Sequence, residues 1–231
     1  MRRIKLIVAY DGTEYSGWQI QPEAPTIEMY LDKAIRELTG ENVHVTGASR
    51  TDAGVHAYGN VAVFDTESTI PGDRFTFALN RFLPDSIVIQ DSWEVSGDFH
   101  PRHCNTRKTY EYRILNTAIP LPQKRNFTWH VAGSIDIEKM KEAAAYIVGE
   151  HDFKSFCSIH TQTETTVRTI TDLSVKKEGS LITIRVTGTG FLYNMVRILT
   201  GTLIEVGRGE KMAESIEGIL EAKERSSAGF T

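Results

Sequence analysis

The sequence has no long hydrophobic run, which argues against a membrane-spanning protein. A membrane helix needs roughly 18 to 20 consecutive apolar residues, and no segment of the chain approaches that length. The apolar stretch at the start of the chain is broken at Asp11, too early for a secretory signal. We therefore expect a protein of the cytoplasm with no membrane partner.

Cysteine is also scarce. The 231 residues include only Cys104 and Cys157, and neither belongs to a CxxC pair. The nearby His103 and His160 do not give either cysteine the ligand spacing of a zinc site. We expect no bound metal and no disulfide.

The chain lacks the net positive charge that is common in nucleic-acid-binding proteins. Its formal net charge is -4, but the distribution of charge matters more than the total. Between His100 and His130, 6 Lys and Arg residues stand against Glu111 alone, whereas the segment 205–224 is rich in glutamate. This pattern fits an RNA-binding surface, and it fits equally well two solvated faces of opposite sign.

The order of predicted elements repeats along the chain, without a low-complexity linker. Apolar periodicity predicts strand, helix, strand, strand, helix and strand in the first half, at 4–10, 26–38, 43–49, 59–66, 75–83 and 86–95. In the second half it predicts a strand, a helix, a hairpin and a helix, at 106–116, 135–149, 169–188 and 191–207. Thr26 is the predicted cap of the first helix, and Gly40 is its predicted stop.

These elements predict an α+β protein with two ferredoxin-like βαββαβ-type halves and mainly antiparallel sheets. We expect the halves to span residues 1–100 and 101–231. Their sheets are expected to join or to face each other so that a cleft forms between them.

The stretch SRTDAGVH, residues 49–56, places a cation, a carboxylate and a glycine close together. Arg50 stands two positions before Asp52, and Gly54 stands two positions after it. On these residues alone a turn is the simplest interpretation, because aspartate accepts backbone N–H bonds and glycine allows a positive φ. A catalytic interpretation needs support from the rest of the chain.

That support comes from four further motifs that span almost the whole chain. They are YDGTEYSGWQIQP at 10–22, FHPRHCNTRKTYEYRI at 99–114, HDFKSFC at 151–157 and GTGFLYNMVRILTGTLIEVGRG at 188–209. In this order and at these separations, and together with RTDAGVHA, they closely resemble the TruA family of tRNA pseudouridine synthases. The resemblance implies the pseudouridine synthase fold, with a positively charged cleft between the halves.

The resemblance also implies roles for single residues. The family's catalytic aspartate falls on Asp52 in the N-terminal half, with Arg50 and Arg197 as supporting arginines. Tyr110, in the C-terminal half, falls on the aromatic residue that stacks on the flipped uracil. Tyr112, on the same face of the strand, is expected to pack in the core.

The implied reaction converts uridine to pseudouridine in the tRNA anticodon arm, at tRNA positions 38, 39 and 40. Asp52 must be ionised for this, either as a nucleophile or as a base on the ribose, and the sequence leaves both open. No cofactor is required, because the reaction involves no net redox change and consumes no water. The family acts as a homodimer.

Binding of RNA is expected to depend on basic residues that contact phosphates without reading sequence. The main candidates are Arg102, Arg107, Lys108 and Arg113, and the weaker ones are Arg81, Lys124, Arg125 and Arg168. Three places depart from the common family pattern: Glu28 stands where glutamine is frequent, Asn60 stands near a usual glutamine, and residues 103–105 replace an aromatic-Ser-Ala segment. Local RNA contacts are expected to differ there.

Two smaller expectations concern supporting residues. His56 should hold its loop through a backbone hydrogen bond, and Tyr10, Asp11, Gly12 and Trp18 should have structural roles. Asn194, Arg197 and Gly201 share one helical face, and a polar stripe with a glycine gap suits the wall of a cleft.

The end of the chain raises a further hypothesis. Family members usually continue past the segment matching KERSSAGFT into a final strand that begins with Gly-Leu, whereas this sequence stops at Thr231. We therefore expect that the sequence is a shortened version of a longer chain and that its second half lacks one strand.

Two rival functions remain open at this point. One is a non-catalytic RNA-binding module, since ferredoxin-like units often bind RNA through aromatic residues of the sheet. The other is a metal-dependent hydrolase that uses Asp11, Asp52 and His56. The first lacks an RNP-type motif, and the second lacks an HxxxH or HxD pattern.

Overall fold

The structure is a computed structural model that describes residues 1–104, 106–159 and 163–231. Asn105, within one of the segments that depart from the family pattern, and His160, near Cys157, lie outside the described residues. The chain divides into two compact units, Met1–Cys104 and Asn105–Thr231. No helix in the described ranges is long and apolar enough to cross a membrane.

The first unit is built around a four-stranded antiparallel sheet. Its elements are β1 (Arg2–Tyr10), α1 (Ile27–Thr39), β2 (Thr46–Gly47), β3 (Ala57–Thr66), α2 (Phe75–Leu79) and β4 (Ile87–Val95). The strands lie in the order β2-β3-β1-β4, and each neighbouring pair is antiparallel. The predicted βαββαβ arrangement of this half is confirmed.

Period-two patterning explains which face of β1 is buried. Ile4, Leu6 and Val8 are completely buried in the core of the unit, as expected when alternate side chains point to one face of a strand. On the other face, Arg3 pairs with Asp65 at 2.7 Å.

Helix α1 begins and ends at the residues that the sequence predicts. Gly40 adopts the left-handed conformation, with φ of 76°, and its N–H donates to the carbonyl oxygen of Arg36. Thr26 occupies the N-cap position, yet its hydroxyl makes no capping bond there. That hydroxyl is buried and has no hydrogen-bond partner among the described residues. The predicted cap position and the predicted stop are therefore both confirmed, although the cap makes no side-chain hydrogen bond.

The second unit carries a sheet of five strands within its described residues. Its elements are β5 (Lys108–Leu115), β6 (Trp129–His130), α3 (Ile137–Ala145), β7 (Gly149–Asp152), β8 (Val167–Glu178), β9 (Leu181–Gly188), α4 (Met195–Gly207) and α5 (Ser215–Ala222). The strand order is β6-β5-β9-β8-β7, and only the short pair of β5 with β6 is parallel. The predicted α+β class with mainly antiparallel sheets is confirmed.

Several elements differ from the sequence interpretation. The strand predicted at 43–49 shrinks to the two residues of β2, and β6, β7 and α5 were not predicted. Helix α4 begins at Met195 instead of 191, because Asn194 has a left-handed backbone with φ of 60°. Helix α5 buries Ile216, Ile219 and Leu220, a pattern that the surrounding glutamates obscure.

Candidate active site

The SRTDAGVH loop connects β2 to β3 and is anchored at its start by backbone pairing. The N–H of Ala48 donates to the carbonyl oxygen of Val61 at 2.7 Å. Asn60 then extends the pairing, because its side chain accepts from the N–H of Ser49 and donates to the carbonyl oxygen of the same residue. The loop therefore leaves the sheet in a defined direction.

Asp52 lies at the turn of this loop. The N–H of Val55 donates to its carbonyl oxygen at 3.2 Å, and Gly54 has a φ of 76°. The predicted turn is confirmed. The aspartate is half-buried and the preceding Arg50 is exposed, so a carboxylate and a guanidinium lie on one short segment that solvent can reach.

The YDGTEYSGW segment, residues 10–18, contacts the loop at several points. The hydroxyl groups of Tyr10 and Thr51 are 2.7 Å apart. The N–H of Trp18 donates to the carbonyl oxygen of Thr51, and the N–H of Gly54 donates to that of Tyr15. These contacts hold the residues on both sides of Asp52.

Two glycines of this segment allow the close approach. A Cβ atom on Gly12 would clash with the carbonyl oxygen of Val55. Gly17 has a φ of 92°, and a Cβ atom there would lie 2.5 Å from the carbonyl oxygen of Thr51. The backbone of the loop occupies the space that larger residues would need.

His56 and Asp11 complete the support of the loop. The Nδ1 atom of His56 lies 3.1 Å from the N–H nitrogen of Gly12 and 3.0 Å from Oδ1 of Asp11. It can accept from the first or donate to the second, but not both at once. Hydrogen bonds from Thr13 are the main cause that lowers the pKa of Asp11, and His56 adds to the effect. Asp11 is therefore held as a carboxylate.

Arg50 shares a pocket with a second predicted residue, Arg102. The pocket has a volume of about 140 Å³ and is also lined by Trp18 and Glu28. The structure thus brings together one proposed active-site arginine and one proposed RNA-binding arginine in the first unit.

Tyr110 lies in β5 of the second unit and is paired across the sheet with Val186. Its ring packs edge-to-face on Phe191, with centroids 4.9 Å apart and planes at 74°. Phe191 was not singled out from the sequence, although it begins the FLYNMVR segment. Tyr110 is only partly buried and packs against the core of the second unit.

Tyr112 has the packing role that the sequence predicts. Its ring meets Trp129 at a centroid distance of 6.4 Å and an interplanar angle of 88°. Burial raises the pKa of Tyr112, and the positive charge of Arg197 acts against this shift. Arg197, in the first turn of α4, is therefore close enough to Tyr112 for its positive charge to affect the pKa of the phenol.

The predicted polar stripe on α4 needs a correction. Gly201 is buried, and a Cβ atom on it would clash with the carbonyl oxygen of Phe230. The nearby Thr202 accepts a hydrogen bond from the N–H of Gly229. The chain's own residues 229–230 therefore fill the glycine gap, which does not form an open wall.

The basic candidates of the second unit differ in their surroundings. Arg107 is exposed, whereas Lys108 is partly buried. Arg113 donates from Nε to Glu111 at 2.7 Å, and Glu111 also lies 4.0 Å from Arg185. Arg113 therefore forms an ion pair with Glu111. Arg107 forms no such pair with the described residues.

Comparison with known proteins identifies the family. A sequence model of the family described as tRNA pseudouridine synthase matches residues 6–104 and 143–231. The chain belongs to the tRNA pseudouridine synthase family. The matched residues of the synthase family include Asp52, Arg50 and Arg102, whereas Tyr110 lies in the unmatched interval.

Individual synthases match over the whole chain. A protein named tRNA pseudouridine synthase A from Acetivibrio thermocellus is 51% identical over 231 residues, covering 100% of this chain and 95% of that protein. The tRNA pseudouridine synthase A 2 of Clostridium perfringens is 49% identical over 230 residues, covering 100% and 94%. A tRNA pseudouridine synthase A from Halalkalibacterium halodurans is 44% identical over 232 residues, covering 100% and 88%. The resemblance inferred from the motifs is confirmed.

Proposed function

We propose that this protein isomerises uridine to pseudouridine in the anticodon stem-loop of tRNA, at positions 38, 39 and 40. The observation that carries the proposal is 44% to 51% identity over the full chain with proteins named tRNA pseudouridine synthase A. The half-buried Asp52, on a loop held from both sides, supports it independently.

The reaction exchanges one bond of the ribose for another. The bond from N1 of uracil to C1′ breaks, the base turns, and a bond from C5 to C1′ forms. The proton that leaves C5 is balanced by the one that N1 gains. Asp52 serves either as the nucleophile at C1′ or as the base that removes a ribose proton while the glycosidic bond opens.

Arg50 and Tyr110 have supporting roles in this proposal. Arg50, two residues before Asp52, favours the ionised carboxylate through its positive charge. Tyr110 stacks on the uracil after it has left the RNA stack, a contact worth about 1 to 3 kcal/mol per base. Arg197 is assigned a supporting role from the family motif, because it is the arginine of the MVR segment.

The predicted basic residues remain the proposed RNA-binding residues, but the structure changes their expected relative contributions. Arg102 and Arg107 are exposed and suited to phosphate contacts. Lys108 is partly buried, and Arg113 contributes less because Glu111 already binds its guanidinium. A positively charged cleft that receives the tRNA belongs to the same proposal.

Three further parts of the proposal follow from the family. The protein acts as a homodimer, needs no metal, and works in the cytoplasm, where its tRNA substrate is found. Size-exclusion chromatography with light scattering tests the first part. The assay below tests the second.

The decisive assay incubates a tRNA transcript with the protein in EDTA and quantifies pseudouridine after digestion to nucleosides. We expect pseudouridine to form at full rate, which would eliminate both a passive RNA-binding module and a metal-dependent hydrolase. A transcript without uridine at positions 38 to 40 is the matched control and should yield none. Absence of pseudouridine from the first transcript would overturn the proposal.

A further inference from the structure

The pocket that contains Arg50 and Arg102 directly adjoins the SRTDAGVH loop. Trp18, in its wall, donates a backbone hydrogen bond to the carbonyl oxygen of Thr51, next to Asp52. The pocket and the loop therefore share their supporting residues. A group that binds in this pocket would lie close to the proposed catalytic residue along the same segment.

The side chains of the two arginines in the pocket differ from those of other arginines in the first unit. Within the described residues, neither side chain has an ion-pair or hydrogen-bond partner, although other arginines of the first unit do. Arg2 pairs with Glu94 at 2.6 Å, and Arg3 pairs with Asp65 at 2.7 Å. Two guanidinium groups without partners in one pocket favour an anion as its occupant.

Glu28 limits how much negative charge the pocket accepts. Its side chain is only 8% exposed, and Oε2 accepts the N–H of Ile20 at 3.0 Å. With a neutral His44, the lining residues Arg50, Arg102 and Glu28 sum to one positive charge. One singly charged anion balances that sum, whereas a dianion would meet repulsion from Glu28.

Trp18 adds a buried donor without a partner. Its indole Nε1 is buried and has no hydrogen-bond acceptor among the described residues. The edge of the ring that carries Nε1 packs against Gly47, which also lines the pocket. Buried N–H groups are nearly always hydrogen-bonded, so this donor in the pocket wall lacks an acceptor within the described residues.

We propose that this pocket binds one phosphodiester group of the RNA strand that carries the target uridine. A phosphodiester has a single negative charge and two non-bridging oxygens, which suits two guanidinium donors and the nearby Glu28. The contact would fix the strand beside Asp52 without reading its sequence. This inference rests on the proposed function, because it takes RNA as the ligand.

The test is a double-mutant cycle between the protein and an anticodon stem-loop RNA. Arg102→Ala is combined with RNAs in which single phosphates near the target uridine are replaced by uncharged methylphosphonate. On unmodified RNA we expect Arg102→Ala to weaken binding about tenfold or more and to make the salt dependence shallower by about 0.7 to 0.9. Arg74→Ala, which changes the charge equally at an exposed site outside the pocket, should do much less.

One RNA linkage should behave differently from the others. With methylphosphonate at the linkage that the pocket binds, Arg102→Ala should cause no further weakening. The proposal is overturned if Arg102→Ala weakens the binding of every modified RNA by the same factor. It is also overturned if Arg102→Ala does not weaken the binding of any RNA.

Glu28→Gln provides an independent variant with the opposite expected effect. The amide oxygen can still accept the N–H of Ile20, but the negative charge is removed, so RNA should bind several-fold more tightly. Weaker or unchanged binding would contradict the charge argument.

Parallel turnover measurements separate this proposal from the proposed function. Suppose that the unchanged protein forms pseudouridine but the effects of Arg102→Ala and of every methylphosphonate are additive. That result would reject the phosphate site and leave the proposed function intact. A non-additive cycle without any pseudouridine would reject the proposed function and keep the phosphate site.

Discussion

Asp52 is the carboxylate of the SRTDAGVH loop, and its neighbours make more contacts than a simple turn requires. Thr51 contacts both Tyr10 and Trp18, while Gly54 contacts Tyr15. A turn needs only the bond from Val55 to Asp52 and the positive φ of Gly54. The extra contacts restrict the position of the carboxylate, as a catalytic group requires.

Replacing Asp52 should separate catalysis from binding. We expect Asp52→Asn to abolish pseudouridine formation, because the amide can act neither as nucleophile nor as base. The affinity for tRNA should stay within a few-fold, since it depends mainly on distributed phosphate contacts. Turnover by rapid quench and affinity by filter binding check both parts. Turnover near that of the parent would remove Asp52 from its role.

At this scale the sequence predicts which residues matter better than which residues they contact. The motifs point to Asp52 and Tyr110, but the contact of Tyr110 with Phe191 joins positions 81 apart in the chain. The ion pair of Arg113 with Glu111 could not be predicted either, because residue spacing does not show which side chains turn towards each other. Such contacts depend on the packing of the finished sheet.

Among the elements, the segment 10–18 contributes most to the position of the catalytic loop. It follows β1 and supplies backbone donors, a phenol and two glycines to the loop that precedes β3. A substitution in this segment should therefore change the position of Asp52, although the segment and Asp52 are far apart in the sequence.

Substitution at Gly17 tests that coupling. Gly17→Ala should destabilise the protein by about 1 to 3 kcal/mol, because φ is 92°. Activity should fall as well, since the new methyl group would lie 2.5 Å from the carbonyl oxygen of Thr51. Chemical denaturation and a turnover assay measure the two effects. Gly97→Ala, where a Cβ meets no atom within 4 Å, is the control, and equal behaviour of both variants would refute the coupling.

The start of β5 should contribute to RNA binding through one of two neighbouring cations. Arg107→Ala and Lys108→Ala lie on opposite faces of the chain, so one should reduce the salt dependence of tRNA binding more than the other. The expected reduction is about 0.7 to 0.9 per lost phosphate contact. Lys33→Ala, at an exposed ion pair on α1, is the control. If neither variant changes the slope, the start of β5 makes no phosphate contact with the RNA.

Elements with strong local signals were predicted, and those that depend on distant partners were not. The hairpin of β8 and β9 turns at Gly179, whose φ is 58°, as its Glu-Gly sequence predicts. Strand β6 is different, because in the part of the chain that the structure describes its two residues pair only with β5. Helix α4 begins late because of the backbone of Asn194, which no periodic pattern reveals.

On the scale of the whole molecule, carboxylates with shifted pKa values link stability to pH. Hydrogen bonds from Thr13, Arg3 and Thr166 are the main causes that lower the pKa values of Asp11, Asp65 and Asp152, respectively. Their folded-state pKa values lie below the unfolded ones, so their stabilisation is present above about pH 4. It is lost as the pH falls through the folded values. Asp32, whose pKa burial raises, contributes with the opposite sign.

Asp65→Asn should reveal this linkage. At pH 7 the variant should melt about 2 to 4 °C lower, because it loses the partly exposed pair with Arg3. The difference should shrink as the pH falls below about 4 towards the lowered folded-state pKa of Asp65, because protonation removes the same charge from the parent. Calorimetry from pH 3 to pH 7 checks this, with the exposed Asp73→Asn as control. A difference that grows on acidification would contradict the assigned sign.

Release of hydrogen from C5 of uracil reports the formation of pseudouridine by this protein most directly. The measurement uses anticodon stem-loop transcripts with uridine tritiated at C5 and placed singly at position 38, 39 or 40, in EDTA. We predict tritium release in proportion to pseudouridine formed, and none with Asp52→Asn. No release from any of the three transcripts, or equal release by Asp52→Asn, would contradict the account.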